Sequence, residues 1–127
     1  MRLLLDTQVY LWILAASPKL PRRAQEQIRE AAAVYVSAAS IWEAAIKIGV
    51  GKLSVAIDDV LDNIQRSGFL SLPVQPQHAA LVATLPLHHR DPFDRILVAQ
   101  AISETLRLLT ADAALIPYSE LVIQVRQ

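Results

Sequence analysis

"RLLLDTQVYLWIL", residues 2–14, decides the fold. Leu3, Leu4 and Leu5 run together without polar alternation, the pattern of a short strand buried on both faces, as in a parallel sheet. Asp6 closes that strand. Thr7 and Gln8 then lead into "VYLWIL", an apolar helical turn, so the chain begins as strand, acid, helix.

The same succession recurs downstream. "PKLPRRAQEQIREAA" places Pro21 near a helix start, Leu20, Ala24, Ile28 and Ala31 on one face, and charges on the other. "AVYVS" reads as a second strand and "AASIWEAAIKIG" as a helix closed by Gly49. Ile57, Val60, Leu61 and Ile64 mark an amphipathic helix whose opposite face carries Asp58, Asp59 and Asp62. "FLSLPV" is a third strand, "QPQHAALVATLPL" a short helix stopped near Pro86, and "DPFDRILVAQA" a longer helix. "RLLTAD" is a fourth strand, and "VIQVR" a fifth at an edge. Short apolar strands alternating with helices imply βαβ units and a mainly parallel sheet covered on both faces. The expectation is a single three-layer α/β/α domain spanning residues 1–127, without repeats or linkers.

Composition narrows the function classes. With 54% apolar and 19% charged residues the chain lies far from disordered compositions. Twelve basic residues balance twelve acidic ones, so no global positive field points to nucleic acid, and any such role must rest on local features. The absence of cysteine excludes disulfides, thiolate zinc sites and a cysteine nucleophile, and fits a reducing cytoplasm. "MRLLLD" lacks the apolar length of a signal peptide, and "YLWILAA" is too short to span a membrane.

Ligands of open parallel sheets bind beyond the carboxyl ends of the strands, so the residues at that rim matter most. Asp6 ends the first strand, Glu43 lies early in the helix after "VYVS", Asp94 occupies the first turn of the long helix, and Asp112 follows "LLT". Structural duties compete for three of them. Asp94 suits a dipole-compensating position behind an Asp91 N-cap and Pro92; Glu43 could close a capping box or pair with Lys47; Asp112 could cap "ADAALIPY". Taken together the balance changes. Two like charges about 4 Å apart repel by roughly 4 kcal/mol at an effective dielectric near 20, so four converging carboxylates call for a cation. All-oxygen ligation favours Mg²⁺ or Mn²⁺ over zinc, and such an ion activates water against a phosphodiester.

The surrounding residues are more ambiguous. His88 and His89 are adjacent and diverge on an extended chain, His78 is remote in sequence, and no role is assigned to the pair. Arg90 and Arg95 flank the acids and suit either RNA phosphates or a salt bridge to Asp91. With Arg22 and Arg23 they form the expected basic rim. Thr7 and Thr110 stand beside two of the acids as supporting hydrogen-bond donors, to the carboxylates or to a metal's water. Trp12 and Trp42, among Leu, Ile and Ala at helical spacing, read as core.

Four motifs in this order, "LLLDTQVYLW", "VSAASIWEAAIK", "LPLHHRDPFDRILVAQA" and "LLTADAALIPY", resemble the PIN-domain ribonucleases, specifically the VapC toxins of toxin–antitoxin pairs. The resemblance runs nearly end to end. It implies a Mg²⁺- or Mn²⁺-dependent endoribonuclease with a PIN-like fold, acting as a homodimer and neutralised by a cognate VapB-type antitoxin that covers its active site. Asp6, Glu43, Asp94 and Asp112 match the acidic quartet, as catalytic and metal-binding residues, and Asp91 matches a supporting acid. Gln8 stands where histidine is common in this subgroup, a departure that costs no acid. The alternatives are a catalytically silent PIN-like module that binds RNA or an antitoxin, and a phospho-receiver domain. The latter needs an acidic pair after the first strand and a lysine after the last; only Asp6 is present, and no lysine follows Lys52. A haloacid-dehalogenase-like phosphatase would need an aspartate where Gln8 stands.

Overall fold

The structure, a computed structural model, describes residues 1–126. Five strands, β1 (Arg2–Leu5), β2 (Ala33–Ser37), β3 (Leu70–Leu72), β4 (Arg107–Thr110) and β5 (Val122–Gln124), form one sheet in the order β3-β2-β1-β4-β5. Every neighbouring pair is parallel. β1 is central, and Leu3, Leu4 and Leu5 are all fully buried.

Alternation along β1 explains why no polar residue interrupts it. Leu3 and Leu5 face a core built with Val9, Tyr10, Ala24, Ala44, Val60 and Ile64, whereas Leu4 faces a second core with Leu97, Val98, Ala101, Leu108 and Leu115. The first core joins α1 (Thr7–Leu14), α2 (Arg22–Glu30), α3 (Ala38–Gly49) and α4 (Ile57–Arg66) to one face of the sheet. The second joins α6 (Pro92–Glu104) and a 3₁₀ segment (Ala113–Tyr118) to the other, with α5 (Pro76–Leu81) packed on α6. Three layers result. No helix among the described residues is long and apolar enough to cross a membrane.

Two local expectations change. Gly49 is the last residue of α3 rather than its stop; the chain turns at Gly51, whose φ of +77° is the left-handed geometry that glycine tolerates. The helix expected over residues 75–87 ends at Leu81, continues as a 3₁₀ turn through Thr84, and leaves Pro86 in a loop.

The strand order fixes where a site can form. From β1 the chain moves outward through β2 and β3, then returns to the opposite side of β1 to build β4 and β5. The reversal opens a crevice at the carboxyl ends of β1 and β4. Asp6 and Asp112 lie there.

Candidate active site

Asp6 is held by its backbone surroundings. It is the N-cap of α1, its Oδ1 accepting from the Val9 N–H at 2.7 Å. Across the crevice its Oδ2 accepts from Thr110 Oγ1 at 2.5 Å and from the Ala111 N–H at 3.0 Å. The carboxylate is 4% exposed, and burial pushes its pKa up against the pull of those three donors.

Asp94 sits in the first turn of α6, aimed by the helix start. Asp91 is the N-cap, accepting from Phe93 N at 2.9 Å, and Pro92 supplies the first helical residue. Asp94 accepts no hydrogen bond among the described residues. Burial, then the charges of Asp91 and Asp6, push its carboxyl up to about 7; His89 pulls the other way, and Glu43 adds to the rise. Glu43 projects from α3 and forms an ion pair with Lys47 one turn later, 2.9 Å away. The pairing does not remove it from the cleft, because both partners line the same wall.

Asp112 caps the 3₁₀ segment, Oδ1 accepting from Ala114 N at 2.9 Å, while Oδ2 lies 2.9 Å from His89 Nε2. His89 Nε2 is also 3.6 Å from Asp94 Oδ2. Asp6, Glu43, Asp91, Asp94 and Asp112 converge on one cleft of about 340 Å³, with Thr7, Gln8, Lys47 and Ala111 completing the wall. The donor set fits a hard divalent cation. It is carboxylate-rich, and the raised values of Asp6 and Asp94 come from burial first and from neighbouring carboxylates after it.

Several surrounding expectations require correction. Thr7 bonds Ser40 Oγ at 2.9 Å rather than an acid. Arg95, expected beside RNA or paired to Asp91, folds back: its guanidinium donates to the carbonyls of Val82 and Pro86 and to Tyr118 Oη, bracing the loop ahead of α6. Arg90 is exposed and forms no ion pair with Asp91 among the described residues. Arg22 and Arg23 do not line the cleft; Arg23 lies in a different groove with Arg107 and Val122. Trp12 packs on the first core, but Trp42 is 63% exposed, its ring edge-to-face with Phe93 at 5.0 Å. Ser40, Glu43 and Lys47 share one face of α3, so periodicity places Trp42 on the apolar side opposite; the buried positions are instead Ala39, Ser40 and Ala44. Trp42 and Phe93 instead line an apolar groove of about 570 Å³ with Val74, Ala79, Val82 and Ile96.

Three participants escaped the sequence reading. Lys47 lines the cleft, with only its spacing to Glu43 as a signal. Tyr118 has none in sequence: its Oη accepts from the backbone N–H groups of His88 and His89 at 3.0 and 2.9 Å and from Arg95. His89 meets the acids from the loop ahead of α6, where the chain bends at His88, whose ring packs edge-on against Tyr118.

The PIN domain family model matches residues 3–120, covering all four acids. The chain belongs to the PIN domain family. Solved structures agree in fold at low identity. A chain from VapBC2 of Rickettsia felis, bound to a DNA fragment from its promoter, superposes with a TM-score of 0.74 at 16% identity, covering 99% of this chain and 100% of that one. DNA-bound VapBC from Salmonella typhimurium gives 0.71 at 16%, covering 98% of each chain. VapBC-5 from Mycobacterium tuberculosis gives 0.62 at 20%, covering 99% of this PIN domain and 98% of that chain. Comparison with curated proteins gives no match.

Proposed function

We propose that this PIN domain is a divalent-metal-dependent endoribonuclease, the toxin of a toxin–antitoxin pair. The observation that carries the reading is Asp94: a carboxylate with no hydrogen-bond donor among the described residues, sharing its cleft with four other acids and pushed up to about 7. Asp6, Glu43, Asp94 and Asp112 would hold Mg²⁺ or Mn²⁺. A bound ion supplies Lewis acidity to a phosphodiester and favours hydroxide over water as nucleophile.

The chain's own residues do the rest. Thr110 and the Ala111 and Val9 N–H groups fix Asp6, so its geometry is set before any ligand arrives. Lys47 and exposed Arg90 supply local positive charge for the RNA backbone on a chain whose net charge is zero. Gln8, exposed at the cleft wall, is placed to touch the substrate.

The apolar groove supports a protein partner. Trp42 adjoins Glu43 and Phe93 adjoins Asp94, so the two helix turns that carry acids into the cleft carry aromatics into the neighbouring groove. A partner anchored on those rings necessarily lies beside the acids. We assign that role to the cognate antitoxin, in keeping with the VapBC complexes that share the fold. A second copy of the chain completes the proposed toxin as a homodimer.

Incubating the purified protein with a broad RNA panel, with and without Mg²⁺ or Mn²⁺, tests the reading. Metal-dependent cleavage that vanishes in Asp94→Asn supports it; RNA left intact at every metal concentration favours a binding module.

A further inference from the structure

His89 touches the site in a way that its sequence position does not announce. Its Nδ1 accepts a hydrogen bond from the Asp91 backbone N–H at 3.0 Å, so that nitrogen carries no proton. In the neutral ring the proton therefore sits on Nε2, which donates to Asp112 Oδ2 at 2.9 Å. The ring itself is held from behind, because Tyr118 Oη accepts from the His89 N–H at 2.9 Å while Arg95 anchors that hydroxyl.

Asp112 needs such a hold. Its side chain is 41% exposed, and among the described residues its only other hydrogen bond is the cap to Ala114 N through Oδ1. One oxygen is fixed by the 3₁₀ segment and the other by His89, which also faces Asp94. His89 Nε2 and the carboxylate oxygens of Asp94 and Asp112 lie within 4.8 Å of one another, a spacing open to a rival reading in which His89 is itself a metal ligand. The Asp91 N–H decides against that rival, since it leaves Nε2 protonated and without a lone pair to give.

We propose that His89 is a positioning residue of the PIN acidic site, locked as the Nε2–H tautomer by the Asp91 backbone so that it holds the Asp112 carboxylate in place beside Asp94. The proposal rests on the reading of this cleft as a metal site. Outer partners of this kind tune metal affinity by roughly 10–100-fold.

Nitrogen-15 NMR of the ring nitrogens tests the lock directly in the metal-free protein, at a pH where the imidazole is neutral, with the three histidines assigned by replacing each in turn. Nδ1 unprotonated and Nε2 protonated at His89 is the expected result; the opposite tautomer overturns the proposal. Mn²⁺ binding, followed by electron paramagnetic resonance without RNA, supplies the second readout. His89→Ala should weaken binding at least roughly tenfold, and His89→Gln, which can present an amide N–H near the Nε2 position, should recover most of it. If His89→Ala binds Mn²⁺ as tightly as the parent, His89 positions nothing and the metal site survives without it. If the parent itself binds no Mn²⁺, the metal site falls and this role falls with it.

Discussion

Two histidine–carboxylate pairs in this molecule share almost the same local geometry and have different surroundings. His78 accepts from the Gln75 N–H through Nδ1 at 2.9 Å and meets Glu104 through Nε2 at 2.8 Å. His89 accepts from the Asp91 N–H at 3.0 Å and meets Asp112 at 2.9 Å. Both rings are therefore Nε2–H donors when neutral. His78 is 1% exposed in the seam between α5 and α6, and its network closes on one acid and Gln100. His89 adjoins a cleft lined by four further acids, of which Asp94 accepts no hydrogen bond among the described residues. The hydrogen bond alone does not distinguish the two pairs; the number of acids around it does.

The sharpest test removes one charge from the crowded pair's surroundings. Asp94→Asn should reduce RNA cleavage by more than the roughly 10–100-fold that loss of an outer partner costs, measured as initial rate at saturating Mg²⁺. Asp112→Asn should also lower the rate strongly, since its single side-chain oxygen can take the place of the acceptor for Ala114 or of the one for His89 but not both. Stability should move the other way. The folded value of Asp94, about 7, lies above the ordinary 3.8, so the folded chain keeps a proton that the unfolded chain has released in between. That contribution to the stability of metal-free protein is therefore lost as pH rises from about 4 through about 7. Asp94→Asn lacks this loss, so in chelator it should melt above the parent at pH 8, with the gap closing toward pH 4. A gap that stays constant across that range would show that the carboxyl is not strained by its neighbours.

The quiet pair should respond in the opposite sense. His78→Ala breaks the bond to Glu104 and strands the buried end of the α5 cap, costing about 1–3 kcal/mol by thermal melting, while Mn²⁺ affinity stays that of the parent. Asp91→Ala falls between the two. Losing the N-cap of α6 should cost about 1 kcal/mol, and cleavage should persist at a reduced rate. Because Asp91 is the largest charge contribution to the raised Asp94 value, the metal-free melting curve of Asp91→Ala should also lose part of its fall with pH. Cleavage as dead as in Asp94→Asn would show that Asp91 does more than start the helix.

These differences could be read from the sequence only in part. The unbroken leucines of β1 and the recurring strand–helix alternation gave the parallel three-layer order, because burial on both faces leaves a mark in every residue. The four acids were legible for the same reason, since strand ends locate the rim. What surrounds them was not. Thr110 was expected to donate to a carboxylate and does, although its partner Asp6 lies 104 residues away; Tyr118 reaches His89 across 29, a contact that no spacing rule encodes. Arg95 looked available to RNA because sequence shows a charge but not the three loop carbonyls its helix faces. Trp42 looked buried because it lies opposite the polar stripe of Ser40, Glu43 and Lys47 on α3, and only the positions of neighbouring elements choose which side is covered. His78 and His89 looked equally obscure, and their surroundings alone separate them.

Glu104→Gln is the mildest of these changes and bears most directly on that separation. The amide oxygen can still accept from His78 Nε2, and Glu104 is 38% exposed, so removing its charge relieves no buried excess and leaves no donor unpaired. Melting should shift by no more than about 0.5 kcal/mol, the scale of ordinary surface substitutions, with cleavage at the parent rate. The same carboxylate-to-amide exchange at Asp112 can keep its hydrogen bond to a histidine of the same tautomer only by turning its NH2 toward the Ala114 N–H, and it is expected to damage cleavage. If Glu104→Gln and Asp112→Asn proved equally silent, the hydrogen bond would be all that either acid contributes, and the charge imbalance of the cleft would have no chemical consequence. A large loss from the former and none from the latter would place the working pair in the α5–α6 seam instead.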